Sequence, residues 1–165
     1  MATIHFIQQG KGGVGKSMIA AILYQVLRHL GKEIVAFDTD PVNATFKGFQ
    51  EFDVVRLDIL KNGDIDPREF DGLINRIAEL PADTHVIVDS YIKENDVLGI
   101  LKDSGHSVYF HSVITGGQAV ADTALGLRSL ALGFPDSPIV VWLNPYFGEI
   151  RMEDRSFEEF KVYQE

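Results

Sequence analysis

The sequence predicts an α/β fold, a mostly parallel sheet with helices on both faces. Three observations predict it. Short, continuous, β-branched apolar runs recur along the chain, as in strands buried on both sides. Most of these runs are separated by segments of helical periodicity. The first strand and first helix are joined by a glycine-rich turn, Gly10-Lys11-Gly12-Gly13-Val14-Gly15-Lys16-Ser17.

Taken in order, Ile4 to Ile7 is an apolar run of strand length. Ile19, Ile22, Leu23, Val26, Leu27 and Leu30 then fall at helix spacing, and Gly31 is a C-terminal stop. Ile34 to Phe37 is a second strand and Val54 to Leu57 a third. Asp66 as N-cap, Pro67 at the first helical position and Glu69 completing a box-like pattern open a helix. Its apolar face is Phe70, Leu73, Ile74 and Ile77. Val86 to Val88 is a strand ending at Asp89, and another runs from Val108 to about Ile114. Gln118 to Leu132, rich in Ala and Leu, is a helix, and Ile139 to Leu143 is the last clear strand. Residues 144–156, with Pro, Gly and charge, predict a surface loop. Phe157 to Tyr163 predicts a terminal helix with little left to pack against.

The chain has 165 residues, one domain's worth. No run is long enough to span a membrane, and the N-terminus lacks a basic segment followed by a long apolar stretch. The absence of cysteine excludes disulfides and thiolate metal sites, and is compatible with the cytoplasm. A formal charge of −9 argues against broad electrostatic binding to nucleic acid. His5, His29, His85, His106 and His111 lie in different elements without ligand spacing and read as ordinary surface or core residues.

The glycine turn fits the phosphate-loop pattern G-x-x-x-x-G-K-[ST], so the expected fold is that of a P-loop NTPase. Glycines let successive backbone N–H groups turn inward around an anion. Lys16 reaches the β/γ-phosphates and the Ser17 hydroxyl takes a place on Mg²⁺. Lys16-Ser17 at the end of the loop argues against a dinucleotide fold. Parallel strands carry functional groups at their C-terminal edge. There stand Asp38 and Asp40, two apart, and Asp89, where a Walker-B carboxylate would sit. Asp38 and Asp40 are candidates for holding the metal's water shell and orienting an attacking water; the alternative for Asp40-Pro41 is a helix start.

Lys11–Ser17, the run Asp38-Thr39-Asp40-Pro41 and Asn43-Ala44-Thr45 resemble the deviant Walker-A ATPases of the ParA/MinD family. Val113–Gln118 and Val140–Tyr146 extend the resemblance over nearly all of the chain, most closely to TraL-type proteins of plasmid conjugation systems. The resemblance implies a homodimer sandwiching two ATP molecules with Mg²⁺, in a cytoplasmic slow ATPase that serves conjugation or DNA mobilisation with a protein partner of that system. Lys11 would cross to the other subunit's phosphates and Lys16 would serve its own nucleotide. Asp40 would position water, while Ser17, Asp38 and Asp89 would hold the metal shell. The nucleotide set is Gly10, Lys11, Gly12, Gly13, Val14, Gly15, Lys16, Ser17 and Met18, with Asn144 and Pro145. Asn144 stands where the family reads the adenine edge, or else Asn144-Pro145 is a turn. Thr115-Gly116-Gly117 reads as a helix entry. Two departures stand out: Ser90-Tyr91-Ile92-Lys93 follows Asp89 where the family has Gly or Pro, and relatives carry further C-terminal helices. The alternatives are a non-hydrolytic nucleotide-binding regulatory module and an ATP-dependent ligase or phosphotransferase.

Overall fold

The computed structural model describes residues 1–40, 44–61, 64–89 and 96–164. Six strands form one parallel sheet: β1 (Thr3–Ile7), β2 (Ile34–Asp38), β3 (Val54–Arg56), β6 (His85–Asp89), β7 (Ser107–Thr115) and β8 (Ile139–Asn144), in the order β3-β2-β6-β1-β7-β8. Two small antiparallel ribbons stand apart from it, β4 (Leu60–Lys61) with β5 (Asp64–Ile65), and β9 (Arg151–Met152) with β10 (Arg155–Ser156). The helices are α1 (Lys16–His29), α2 (Pro67–Ala78), α3 (Asp96–Asp103), α4 (Val120–Gly133) and the single-turn α5 (Lys161–Gln164).

Side-chain alternation on the central strand β1 sorts the core into two layers. Ile4 and Phe6 pack with Leu73, Ile74 and Ile77 of α2, Leu101 of α3, and Leu130 of α4. Ile7 faces the other way, into Ile19, Ala20, Tyr24 and Leu27 of α1. Each large side chain so buried contributes about 1.5–3 kcal/mol. The helices on both faces are therefore held by the same strands that aim their C-terminal ends at one edge.

The helix ends follow the sequence signals. Asp66 accepts from the Arg68 N–H at 3.0 Å, capping α2. Gly31 has φ +69, the left-handed conformation that ends α1. The expected helix from Gln118 begins instead as a 3-10 turn, Gly117–Ala119, before α4.

The C-terminal stretch corrects the sequence reading. Residues 144–156 are not all loop: they hold a 3-10 turn at Pro145–Phe147 and the β9–β10 hairpin. The expected terminal helix is a 3-10 turn at Phe157–Glu159 followed by the one-turn α5, and it has a partner to pack against. Phe157 and Phe160 are buried with Ile114, Val120 and Leu127, so the segment closes over α4. The correction has a plain cause: an aromatic at each end of a short turn inserts downward even when the turn is too short to show a helical stripe.

Three of the five histidines meet on the sheet face that also carries Ile7. His5 Nε2 lies 3.1 Å from His85 Nδ1, and His5 Nδ1 lies 3.0 Å from His111 Nε2. The Trp142 indole N–H donates to His111 Nδ1 at 3.0 Å, so the row crosses β6, β1, β7 and β8. Burial holds His5 down to about 3 and His111 to about 4. Among the described residues no group of acids, histidines and cysteines has the arrangement of a metal cluster.

Candidate functional site

The glycine loop lies between the end of β1 and the start of α1. Gly13 (φ +73) and Gly15 (φ +108) adopt the left-handed backbone the loop needs. Gly15 is the N-cap of α1, and no side chain caps that helix end. Its first turn carries no acidic residue either, so the orphan N–H groups remain available for an anion. Lys16 and Ser17 stand in this first turn, half-buried, while Met18 is exposed.

Behind the loop, Asp38 and Asp89 are paired across β2 and β6 at the sheet's C-terminal edge, and both are fully buried. Their surroundings differ. Asp38 accepts from the Asp40 N–H at 3.1 Å and the Lys47 N–H at 2.8 Å, which ties down the chain beyond β2. Burial still pushes its carboxyl above the ordinary range. Within strict hydrogen-bond geometry neither oxygen of Asp89 has a partner among the described residues, and the Ser17 hydroxyl beside it is at most a weak donor. Burial raises Asp89 to about 6; the Ser17 hydroxyl and Lys16 ammonium oppose that rise, and Asp38 and Asp40 add to it. Two adjacent buried carboxylates, one of them short of donors and facing Ser17, form a hard oxygen donor set that suits a divalent cation. Asp40 is half-buried just beyond β2, while Pro41, Val42 and Asn43 lie outside the described residues, as does Ser90–Lys93.

On the other flank, the Asn144 amide donates to the Val14 carbonyl at 2.9 Å and accepts from the Tyr146 N–H at 3.2 Å. A Cβ at Gly15 would come within 3.1 Å of Asn144 Nδ2, so loop and strand end are in close contact. Asn144 thus tethers the loop and also caps the turn that Pro145 opens. Beside it a cavity of about 450 Å³ lies between Lys11–Val14 and the residues Thr115, Gly116 and Phe147. Gly116 opens the 3-10 turn, as the sequence predicts. A Cβ at Gly116 would collide with the Gly148 carbonyl, so this glycine lets two loops press together.

Lys11 does not point away from its own chain. Its Nζ lies 2.7 Å from Asp122 Oδ2 on α4, and both side chains are about half exposed (48% and 53%). Sequence reasoning missed Asp122. It gave no role to Gln9, which heads the resemblance to the family and is buried at the start of the loop, with its amide donors on β7 and α4. One signal was present: Gly126 in the middle of a helix costs about 1 kcal/mol against Ala, so something must require it.

The comparisons agree with the fold and give the family. The profile of the CobQ/CobB/MinD/ParA nucleotide binding domain matches residues 5–134. A protein TraL of Escherichia coli is 46% identical over 99% of the chain and 71% of the relative. A second TraL from the same organism is 45% identical with the same coverage. Among solved structures, the septum site-determining protein MinD of Pyrococcus horikoshii, complexed with Mg-ADP, superposes with a TM-score of 0.55 at 20% identity, covering 88% of this chain and 71% of that one. A putative plasmid partition protein of Borrelia burgdorferi bound to AMPPNP gives 0.52 at 14% identity, covering 99% and 79%. The solved structures speak for the P-loop NTPase fold alone.

Proposed function

The chain belongs to the CobQ/CobB/MinD/ParA nucleotide-binding family, and within it to the TraL proteins; from that premise we propose that it binds ATP with Mg²⁺ and acts as a slow ATPase whose nucleotide state controls pairing of two copies. The service is to plasmid conjugation or DNA mobilisation, in the cytoplasm, with a protein partner of that system. Among the described residues no helix is long and apolar enough to cross a membrane. The observation that carries the reading is an uncapped, glycine-lined helix start set against a buried carboxylate short of donors, Asp89. Such a pair is costly to the empty protein and is relieved by a phosphate chain and its cation together.

In this reading Gly10 to Ser17 cradle the phosphates through backbone N–H groups, and Lys16 neutralises the β/γ oxygens. Ser17 and Asp89 hold Mg²⁺, which supplies charge neutralisation on the phosphate oxygens. Asp38 serves the metal's water shell through its remaining lone pairs while it holds the backbone N–H of Asp40, the residue that orients the attacking water. Asn144, anchored on Val14, keeps one amide hydrogen and one lone pair for the base, with Pro145 and Met18 at the rim. Lys11 serves the partner copy. Its exposed bond to Asp122 is worth only about 0–1 kcal/mol, so release toward a triphosphate is easy.

The test is calorimetry of Mg-ATP binding followed by light scattering with a slowly hydrolysed ATP analogue. Wild type should bind and double its mass, while Lys11→Ala should bind but stay single. Binding without any mass change would remove the dimer switch; no heat of binding by folded protein would remove the whole reading. The Lys11–Asp122 pair, within one chain, favours a second reading, a non-hydrolytic regulatory module. Phosphate release at dimerising concentration separates the two.

A further inference from the structure

Gln9 ends the buried stretch that leads into the glycine loop and is 3% exposed. Both kinds of atom in its carboxamide are engaged. Nε2 donates to the Val113 carbonyl of β7 at 3.0 Å and to the Thr123 carbonyl of α4 at 3.1 Å. Oε1 accepts the N–H of Gly10, the first residue of the loop, at 2.9 Å. The amide is therefore a joint with two legs on β7 and α4 and one on the loop. A primary amide is the side chain that offers two donors and an acceptor at such a point.

Helix α4 is shaped to receive it. A Cβ at Gly126 would collide with Gln9 Oε1 and come within 2.9 Å of its Cδ and 3.1 Å of its Nε2. The glycine is thus explained: its missing methyl is the seat of the carboxamide. One turn earlier, Thr123 Oγ1 accepts the Thr115 N–H at 3.3 Å and shares its one hydrogen between the carbonyls of Ala119 and Val120, so the end of β7 is bound to the same helix. These groups are buried, and buried hydrogen bonds left unmade cost about 1–3 kcal/mol each. The joint is stiff for that reason.

We infer that Gln9 is a positioning residue of the phosphate loop, through which α4 fixes the direction of the loop's first N–H. The nucleotide consequence rests on the function proposed above; the mechanical coupling between α4 and Gly10 does not. A loop amide turned by a fraction of an ångström weakens every contact it makes to a phosphate chain, and the phosphate site then moves as one body with α4.

The experiment is a double-mutant cycle on the full chain with Gln9→Ala, Gly126→Ala and the double variant. Three readouts are taken: melting temperature, hydrogen-exchange protection of the Gly10 amide by NMR without nucleotide, and Kd for Mg-ATP at a temperature where circular dichroism shows each variant folded. Gly126→Ala alone should displace the carboxamide, strip protection from Gly10 and weaken Mg-ATP binding about tenfold. In the Gln9→Ala background the same substitution fills vacated space, so its effect on melting temperature should reverse sign, while binding stays as weak as in Gln9→Ala. Additive effects, or wild-type Gly10 protection and affinity in Gly126→Ala, would overturn the inference. If Gly126→Ala does not fold, Gln9→Glu replaces it: the acceptor for Gly10 stays, the two donors go, and unchanged affinity would be the overturning result. If wild type binds no Mg-ATP, the functional reading falls and the joint is judged on Gly10 protection and the reversal of sign alone.

Discussion

A buried carboxylate with too few donors raises the energy of the empty protein, and Asp89, with only the Ser17 hydroxyl and the Lys16 ammonium beside it, is such a group. Its carboxyl stands at about 6 against an ordinary 3.8. At neutral pH that gap corresponds to about 3 kcal/mol lost to the ionised form. Because the folded value is raised, the fold favours the protonated acid. The contribution of Asp89 to metal-free stability therefore improves as pH falls through about 6 toward 3.8. Two outcomes are expected. Asp89→Asn should stabilise the nucleotide-free protein by up to about 3 kcal/mol at neutral pH, read as a higher melting temperature, while weakening Mg²⁺-supported nucleotide binding. Mg²⁺ titrations of wild type should show affinity declining below pH 6, as the carboxylate takes up a proton. A metal-free Asp89→Asn that melts lower than wild type would contradict both the burial and the shortage of donors. The phosphate loop and Asp89 were legible in the sequence because their chemistry is local: a fixed spacing, and an acid at the end of an apolar run. Gln9 and Asp122 were not. The contacts that give them their roles join residues more than 100 apart, and only folding brings α4 to the loop.

At the scale of elements, the sheet strands and long helices announced themselves by period, and the structure moves most of their ends by a residue or two. The short pieces did not. The β9–β10 hairpin turns on Glu153 and Asp154, both at positive φ (+49 and +64), a geometry that sequence usually signals with Asn or Gly. The turn that follows is held by Glu159, whose carboxylate accepts the Ser156 N–H at 2.8 Å. Its hold on the body of the molecule is hydrophobic, through Phe157 and Phe160 against α4. Phe157→Ala should accordingly cost about 3–5 kcal/mol, read as a lower midpoint in urea with unchanged slope. A cost within ±0.5 kcal/mol would place this segment among surface features, as the sequence alone suggested.

For the whole molecule, acid is the informative stress. His5 and His111 titrate at about 3 and 4 when folded, against an ordinary 6.5. Their folded values are depressed, so their contribution is complete above pH 6.5 and is lost as pH falls from there toward 4. His85 moves the same way, lowered by burial first and by Lys32 second while Asp83 raises it, and the Tyr109 ring lies against His5. Near pH 4 the two buried rings together withdraw about 6–7 kcal/mol, against about 3 returned by Asp89, within a total stability of order 5–15. The net loss of about 3–4 kcal/mol should lower the urea midpoint steadily as pH falls from 6.5 to 4. The fluorescence of Trp142, the single tryptophan, is a direct reporter because its indole ends the histidine row. A urea midpoint flat down to pH 4 would show that the rings accept protons without losing their neighbours.

That row has a directional consequence. An indole can only give its hydrogen, so Trp142 leaves His111 with a bare Nδ1 and obliges it to pass its own hydrogen to His5, which must pass one to His85 in turn. The arrow runs one way across four strands, from the rim inward, like a queue in which only the first member chooses which way to face. Trp142→Phe would leave the polarity of that queue undecided, and nitrogen chemical shifts of the three imidazoles would then show a mixture of ring forms where wild type shows one.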